Sequence, residues 1–341
     1  MKPTATVRLH LEDFAVEEIP AFAPSGAGEH LYLWVTKRDL TTDDALRRVC
    51  RALDVDARAA GYAGMKDRRA VTSQMVSLPF PANRREGEAT ELGLEGISVA
   101  NPTRHGHKLK PGHLKGNRFS IVLRDIPREH IDEVATTLES AGKTGVPNAF
   151  GPQRFGRAGD NAERALQWLS GATRGPKDKR EKRLLFSALQ SHLFNRVLER
   201  RHREGTWTRP LLGDLLKKRD SGGIFACTDV DECSERAARG EICPTGPIFG
   251  AKMRWPEGEP ARIERETLAD MGADGPSLFD DHRALGEGSR RPLTLYADDL
   301  TVEQMPEQDG ALRVHFVLPK GGYATTLLAC AVALHEPTVT R

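Results

Sequence analysis

Strand-forming sequence lies towards both ends of this chain, and the stretch between them has a different character. Residues 7–16 alternate apolar and polar side chains, Pro24-Ser25-Gly26-Ala27-Gly28 breaks the run, and residues 30–36 (HLYLWVT) are rich in β-formers. Thr41-Thr42-Asp43-Asp44 opens a helix, with Ala45, Leu46, Val49, Ala52 and Leu53 at helical spacing. Further strands are expected over 71–78, ended by Pro79, and over 119–124, with a helix over 131–141. From about 171 to 287 the chain begins with basic helical sequence (184–203). It then passes through Gly- and Pro-rich segments such as Ser221-Gly222-Gly223 and Cys243-Pro244-Thr245-Gly246-Pro247. After the linker-like Gly286-Glu287-Gly288-Ser289, strand signals return at 293–296 and 311–318. The later strands resemble the first region more than the middle, which predicts a discontinuous first domain with a second inserted into it. The irregular mixture of elements predicts an α+β fold, with helices against a mostly antiparallel sheet.

The length, 341 residues, suffices for two domains, and 38% hydrophobic with 29% charged residues is the composition of a globular chain. The start carries no apolar leader-like run, and the most apolar stretch, 327–334, is far short of the ~18 residues of a membrane span. The expectation is a cytoplasmic protein without a membrane partner. Five scattered cysteines with no C-x-x-C pair predict reduced thiols and no metal site. Neither a G-x-x-x-x-G-K-[ST] nor a strand-flanked G-x-G-x-x-G segment occurs, so use of an NTP or a dinucleotide is not expected. Arg219-Asp220-Ser221-Gly222-Gly223 has the look of a protease serine, but Arg219 replaces the usual glycine, and a basic turn is the better reading. No amphipathic seam or sustained heptad stands out, so a monomer is expected.

Net charge is only +2, but its distribution is uneven. Residues 96–124 contain no Asp or Glu, while Arg104, Lys108, Lys110, Lys115, Arg118 and Arg124 supply six positive charges, with His105, His107 and His113 interleaved. A second cluster comprises Arg174, Lys177, Lys179, Arg180, Lys182 and Arg183. An acid-free stretch of this length suits a polyanion, since each contact with a phosphate releases counterions.

Two segments carry chemistry. In Gly61-Tyr62-Ala63-Gly64-Met65-Lys66-Asp67-Arg68-Arg69-Ala70-Val71-Thr72, glycines before a carboxylate and a β-run after it describe a tight loop presenting Asp67 at the mouth of a strand. Lys66, Arg68 and Arg69 favour its carboxylate form, as a nucleophile or base at neutral pH requires, and suit phosphates beside a target base. The plainer alternative is an exposed charged turn. In Val146-Pro147-Asn148-Ala149-Phe150-Gly151-Pro152-Gln153-Arg154-Phe155-Gly156, Phe150 suits stacking on a base, and Asn148 suits a base edge or a carboxylate. The alternative is a structural loop with its phenylalanines in the core, which suits Phe155 better.

These two segments resemble the TruD family of pseudouridine synthases. So do Leu114-Lys115-Gly116-Asn117-Arg118-Phe119, Leu318-Pro319-Lys320-Gly321-Gly322-Tyr323-Ala324-Thr325, Asp13-Phe14-Ala15-Val16-Glu17-Glu18 and Ser187-Ala188-Leu189-Gln190-Ser191-His192-Leu193-Phe194-Asn195. The matches run in chain order from near residue 8 to near residue 330. The resemblance implies isomerisation of uridine 13 of tRNA to pseudouridine, without a cofactor. It implies a discontinuous pseudouridine-synthase catalytic domain, 1–171 with 291–341, and a family-specific α+β insertion at 172–290. The family's catalytic aspartate falls on Asp67. Its substrate-binding residues fall on Phe14, Asn148, Phe150 and Tyr323, and its N-terminal basic residue on Arg8. Lys66, Arg68, Lys108, Lys110 and Lys115 are the residues expected on the RNA backbone. The chain departs from the family pattern at Ala149, where tyrosine is frequent, at Arg8, where lysine is commoner, and at Tyr323, where phenylalanine also occurs. Such a reaction requires the base to leave the RNA stack, with aromatic rings replacing the lost stacking. Whether Asp67 acts as nucleophile or as base stays open at this level.

Overall fold

The computed structural model describes residues 2–273 and 277–337. The chain divides into two compact units, Met1–Lys143 with Tyr296–Arg341, and Thr144–Leu295.

In chain order the first unit contributes β1 (Thr4–Thr6), β2 (Phe14–Pro20), β3 (His30–Arg38), α1 (Thr42–Ala52), β4 (Gly61–Tyr62), β5 (Val71–Pro79), β6 (Ile97–His105), β7 (Leu114–Leu123) and α2 (Ile131–Thr144). The second unit holds β8 (Val146–Pro147), α3 (Asn161–Leu169), α4 (Lys179–Arg203), β9 (Leu215–Lys218), β10 (Ile224–Ala226), α5 (Val230–Ala238), β11 (Ile242–Ile248), α6 (Gly258–Asp270), α7 (Ser277–Asp280), β12 (Ser289–Pro292) and β13 (Thr294–Leu295). The chain then returns to the first unit with β14 (Asp298–Gln304), β15 (Leu312–Pro319), α8 (Ala324–Leu328) and β16 (Ala333–His335).

The first unit is built on an eight-stranded sheet in the order β14-β15-β7-β2-β5-β3-β6, with β4 on the side of β5. Every pairing in it is antiparallel except β2 with β5, which run parallel with Ala15 opposite Val71 and Glu17 opposite Ser73. Alternation along β3 sorts its side chains. Leu31, Leu33 and Val35 pack with Leu46, Val49 and Cys50 of α1 and with Leu53 just after it, while Tyr32 packs on the other face with Met75, Leu109 and Leu114. Thr41 caps α1 by accepting a hydrogen bond from the Asp44 amide at 3.0 Å, as its sequence predicts.

Residues 7–16 do not form the single strand expected from their alternation. The chain pairs only over β1 and then turns at Arg8, whose φ of +58° lies in the left-handed region that a residue with a Cβ seldom adopts. A single 3-10 turn, Leu11–Asp13, follows before β2 begins.

In the second unit, β10-β9-β11-β12 form an antiparallel sheet. Ala165 and Leu169 of α3 share a core with Leu185, Phe186, Leu189 and Leu193 of α4 and with Phe249 and Leu268. That shared core joins α3 to α4 across residue 172. The contacts place α3, together with the 146–156 segment, in the second unit. Ser221 lies in the turn that joins β9 to β10, with Gly222 at φ +72°. None of the described helices is long and apolar enough to cross a membrane.

Among the described residues of this unit, two ion pairs are buried. Arg201 donates to both carboxylate oxygens of Asp214 at 2.9 and 2.8 Å, and Arg290 to both of Glu264 at 2.9 and 2.7 Å. Removing one partner leaves the other charge buried without compensation. Asp214→Ala is therefore expected to lower stability by about 3–5 kcal/mol in chemical denaturation. A loss below about 1 kcal/mol, the scale of an exposed pair, would show that Arg201 finds water instead.

Candidate active site

Because β2 and β5 run parallel, their starting ends lie at one edge of the sheet. The Arg8–Phe14 segment leads into one, and the Asp67 loop leads into the other. The loop is held by its main chain. The Lys66 amide donates to Thr42 Oγ1 at 2.9 Å, and Gln74 Nε2 donates to the Gly64 carbonyl at 2.9 Å. Thr42 Oγ1 in turn donates to Gln74 Oε1 at 3.0 Å. The Asp67 carbonyl accepts from Lys37 Nζ at 2.7 Å. Gly61 is required upstream, since a Cβ there would lie 2.2 Å from the Leu109 carbonyl oxygen.

This anchoring leaves the Asp67 side chain 55% exposed. Its Oδ2 lies 3.2 Å from Arg8 Nη2. The Arg8 guanidinium is itself buried, also pairs with Glu336, and lies 3.9 Å from the Phe14 ring centroid. Arg69 donates to the Arg8 carbonyl at 3.0 Å and to the Pro337 carbonyl at 2.8 Å, tying the same segments together. The left-handed turn at Arg8 aims this guanidinium, and such local strain persists only where surrounding contacts over-determine it.

Three of the expected residues are engaged within the protein. Phe14 is 2% exposed, with Arg8 over its ring and Phe119 edge-on at 6.3 Å, so it supports Arg8 rather than offering an open stacking face. Lys66 does not face solvent as a backbone-binding lysine would. Its ammonium lies 2.6 Å from Glu18 Oε2, with side chains 5% and 0% exposed. Asn148 is buried with its amide engaged inside the second unit. Oδ1 accepts from Arg291 Nη2 at 2.6 Å, and Nδ2 donates to the Pro292 carbonyl at 2.9 Å.

Phe150 lies in the second unit with Asn148. Arg291 sits 4.2 Å from its ring centroid and Phe194 edge-on at 5.5 Å. Tyr323, in the first unit, precedes α8 and is 41% exposed. Arg68 pairs with Asp39 at 3.4 Å, both half-exposed. Lys108 donates to the Arg58 carbonyl at 3.3 Å, while Lys110 and Lys115 are exposed.

The chain matches the family tRNA pseudouridine synthase D (TruD) over residues 4–165 and 176–329. It belongs to the TruD family. A protein named tRNA pseudouridine synthase D from Anaeromyxobacter sp. (strain Fw109-5) is 44% identical over 330 residues, covering 95% of this chain and 91% of that one. A namesake from Thermus thermophilus is 40% identical over 324 residues, covering 94% and 87%. The solved structure of a putative tRNA pseudouridine synthase D (TruD) from Methanosarcina mazei superposes with a TM-score of 0.74 over 97% of this chain and 94% of that one, at 23% identity. That likeness shows a shared fold.

Three residues that the motifs gave no role stand beside these groups, Lys37 in the first unit and Asn195 and Arg291 in the second. Lys37 continues the inward alternation of Leu31, Leu33 and Val35, a period of two that was readable in the sequence. Asn195 clamps the main chain of Phe150, accepting from its amide at 2.8 Å and donating to its carbonyl at 2.9 Å. Arg291 joins Asn148 to Phe150. No local signal marks the last two roles, because both depend on long-range contacts.

Two outcomes follow. Asn195→Ala leaves two backbone groups of Phe150 without their partners and should cost about 1–3 kcal/mol in thermal or chemical unfolding. No measurable loss would mean that water replaces the clamp. Lys37 is lowered to about 8 by burial, against the pull of the Asp67 carboxylate. The folded chain thus holds this proton less tightly than the unfolded chain does. Between about pH 8 and the ordinary lysine value of 10.5, the unfolded state binds more protons here, and the contribution of this position to stability rises with pH. The wild type should therefore gain denaturation midpoint relative to Lys37→Met between about pH 7 and about pH 10. Parallel curves would contradict the depressed value.

Proposed function

We propose that this chain converts uridine 13 of tRNA to pseudouridine, with Asp67 as the essential carboxylate acting on a base turned out of the RNA stack. The observation that carries this reading is Asp67 itself: a half-exposed carboxylate, fixed by its main chain and paired at 3.2 Å with a buried guanidinium. Membership of the TruD family, with relatives named tRNA pseudouridine synthase D, supports the reaction and the tRNA substrate.

The isomerisation breaks the bond from C1′ to N1 and makes one from C1′ to C5. The proton lost from C5 is balanced by one gained at N1, so the reaction is redox-neutral and needs no co-reactant. Asp67 serves either by attacking carbon or by removing a sugar proton; both need a free carboxylate oxygen. Arg8 offers a cation beside Asp67 and holds its orientation. Tyr323 presents an exposed ring suited to stacking on a base, worth about 1–3 kcal/mol by the precedent of single-strand binders. Arg68, Lys108, Lys110 and Lys115 are the residues assigned to phosphate contact, and the interleaved histidines add to that face only when protonated.

Tritium release from carbon-5-labelled uridine in a tRNA transcript tests this directly. Asp67→Asn should lower the rate at least about a hundredfold, the scale of a lost acid–base or nucleophilic group. Near-wild-type release would remove Asp67 from the mechanism. A transcript with cytidine at position 13 should release no tritium, and release from it would displace the target position while leaving the chemistry intact.

A further inference from the structure

On the face of β3 opposite Lys37, the first unit contains a cavity of about 420 Å3, lined among others by Phe22, Tyr32, Trp34, Asn101, Thr103 and Lys115. We propose that it binds an unpaired nucleotide of the RNA other than the one that meets Asp67, with the base between the aromatic walls and a phosphate on Lys115.

The cavity is within the range of about 300–1,000 Å3 usual for small-ligand sites. Its aromatic wall is pre-built: the half-buried Phe22 ring rests against His105 at 5.2 Å and His113 at 5.7 Å, and the buried Tyr32 backs it, fixed by donating its hydroxyl hydrogen to the His107 carbonyl at 2.9 Å. Trp34 is partly buried beside this cluster. Every base has a π-face, so such walls accept bases without regard to sequence.

The polar rim is also constructed. Between β3 and β6, Tyr32 faces Thr103 and Trp34 faces Ala100, so two residues, Asn101 and Pro102, stand opposite Leu33. This is a β-bulge, a device that re-aims side chains, and Asn101 takes a left-handed φ of +49° within it. Its amide both donates and accepts, as recognition of a base edge requires. Among the described residues no carboxylate lines the cavity, and Asn101, Thr103 and Lys115 all come from the acid-free 96–124 run. Aromatic walls, an amide and a lysine without a counter-acid fit an anionic ligand with a flat ring. The identification of that ligand as RNA rests on the proposed function above.

The test is tRNA-transcript binding and tritium release for the wild type, Trp34→Leu, Lys115→Ala and Asn101→Gly. Trp34→Leu should weaken binding about tenfold, as loss of one stacked base does. Lys115→Ala should weaken it and reduce the slope of log affinity against log salt by about one contact. Asn101→Gly keeps the left-handed backbone and should weaken binding a few-fold without destabilising the fold, so it serves if Trp34→Leu fails to fold. Each loss should appear in KM more than in kcat. Photo-crosslinking from 5-iodouridine-substituted transcript should label the peptides carrying Phe22 or Trp34. If the wild type binds and releases tritium but the folded variants bind as it does, this inference fails and the proposed function stands. If the wild type neither binds the transcript nor releases tritium, both fail together. A fall in kcat with unchanged KM would make the cavity a structural support and overturn the inference.

Discussion

One parallel pairing in an otherwise antiparallel sheet sets the position of everything around Asp67. Antiparallel neighbours bring the start of one strand to the end of the next, so a segment leading into β2 would not meet one leading into an antiparallel partner. With β2 and β5 parallel, Ala15 is opposite Val71, and both lead-in segments meet at one edge. The route between them takes the chain through β3 and α1, and both contribute to the loop: Lys37 from the end of β3 and Thr42 from the start of α1. The C-terminal part closes the arrangement from a third direction. Strand β16 pairs with β1, and Glu336 just beyond it reaches Arg8. A single guanidinium thus joins three pieces of chain far apart in sequence.

Adjacent residues of the loop meet opposite fates, and the difference separates structure from chemistry. Lys66 turns inward to a buried Glu18, whose other oxygen accepts from the Met75 amide at 3.3 Å. Burial pushes the Glu18 carboxyl up while the Lys66 ammonium pulls it down. With both charges matched and solvent excluded, that pair fixes the loop and is closed to substrate. Asp67 points the other way. Its carbonyl is held by Lys37, so its carboxylate is positioned without being covered. The role proposed for Asp67 needs a fixed backbone and a free oxygen at once, and anchoring through the main chain suits both.

What was legible in the sequence follows from how local each determinant is. The α1 cap, the run of β5 and the strand of β15 are set by neighbouring residues and lie where their patterns predict. The break between β1 and β2 was not legible, because an arginine gives no sign of a left-handed turn that three tertiary contacts stabilise. The pairing of Lys66 with Glu18 was not legible, because Glu18 is remote in sequence and only sheet pairing joins them. The exposed loop that carries Asp67 ahead of β5 was legible, since glycines, flanking charge and a following strand all lie within a few residues. The compact units divide elsewhere than the change in composition. The basic stretch before α4 marked a change of composition, but α3 and α4 share a core across it.

The loop at Asn148 shows how a departure from the family pattern is accommodated. Ala149 lies partly buried against Phe194, Leu198 and Leu293, in the same cluster as Phe150 and Trp207. A tyrosine there would have to displace part of this packing or turn its ring outward. The ring that remains, Phe150, is gripped through its main chain by Asn195, through its face by Arg291 and at its edge by Phe194. Arg291 also holds the Asn148 amide, so the conformation of the loop and the environment of the ring depend on one cation. Loss of a neighbouring ring therefore leaves the placement of Phe150 intact, because none of these three restraints comes from the side chain at position 149.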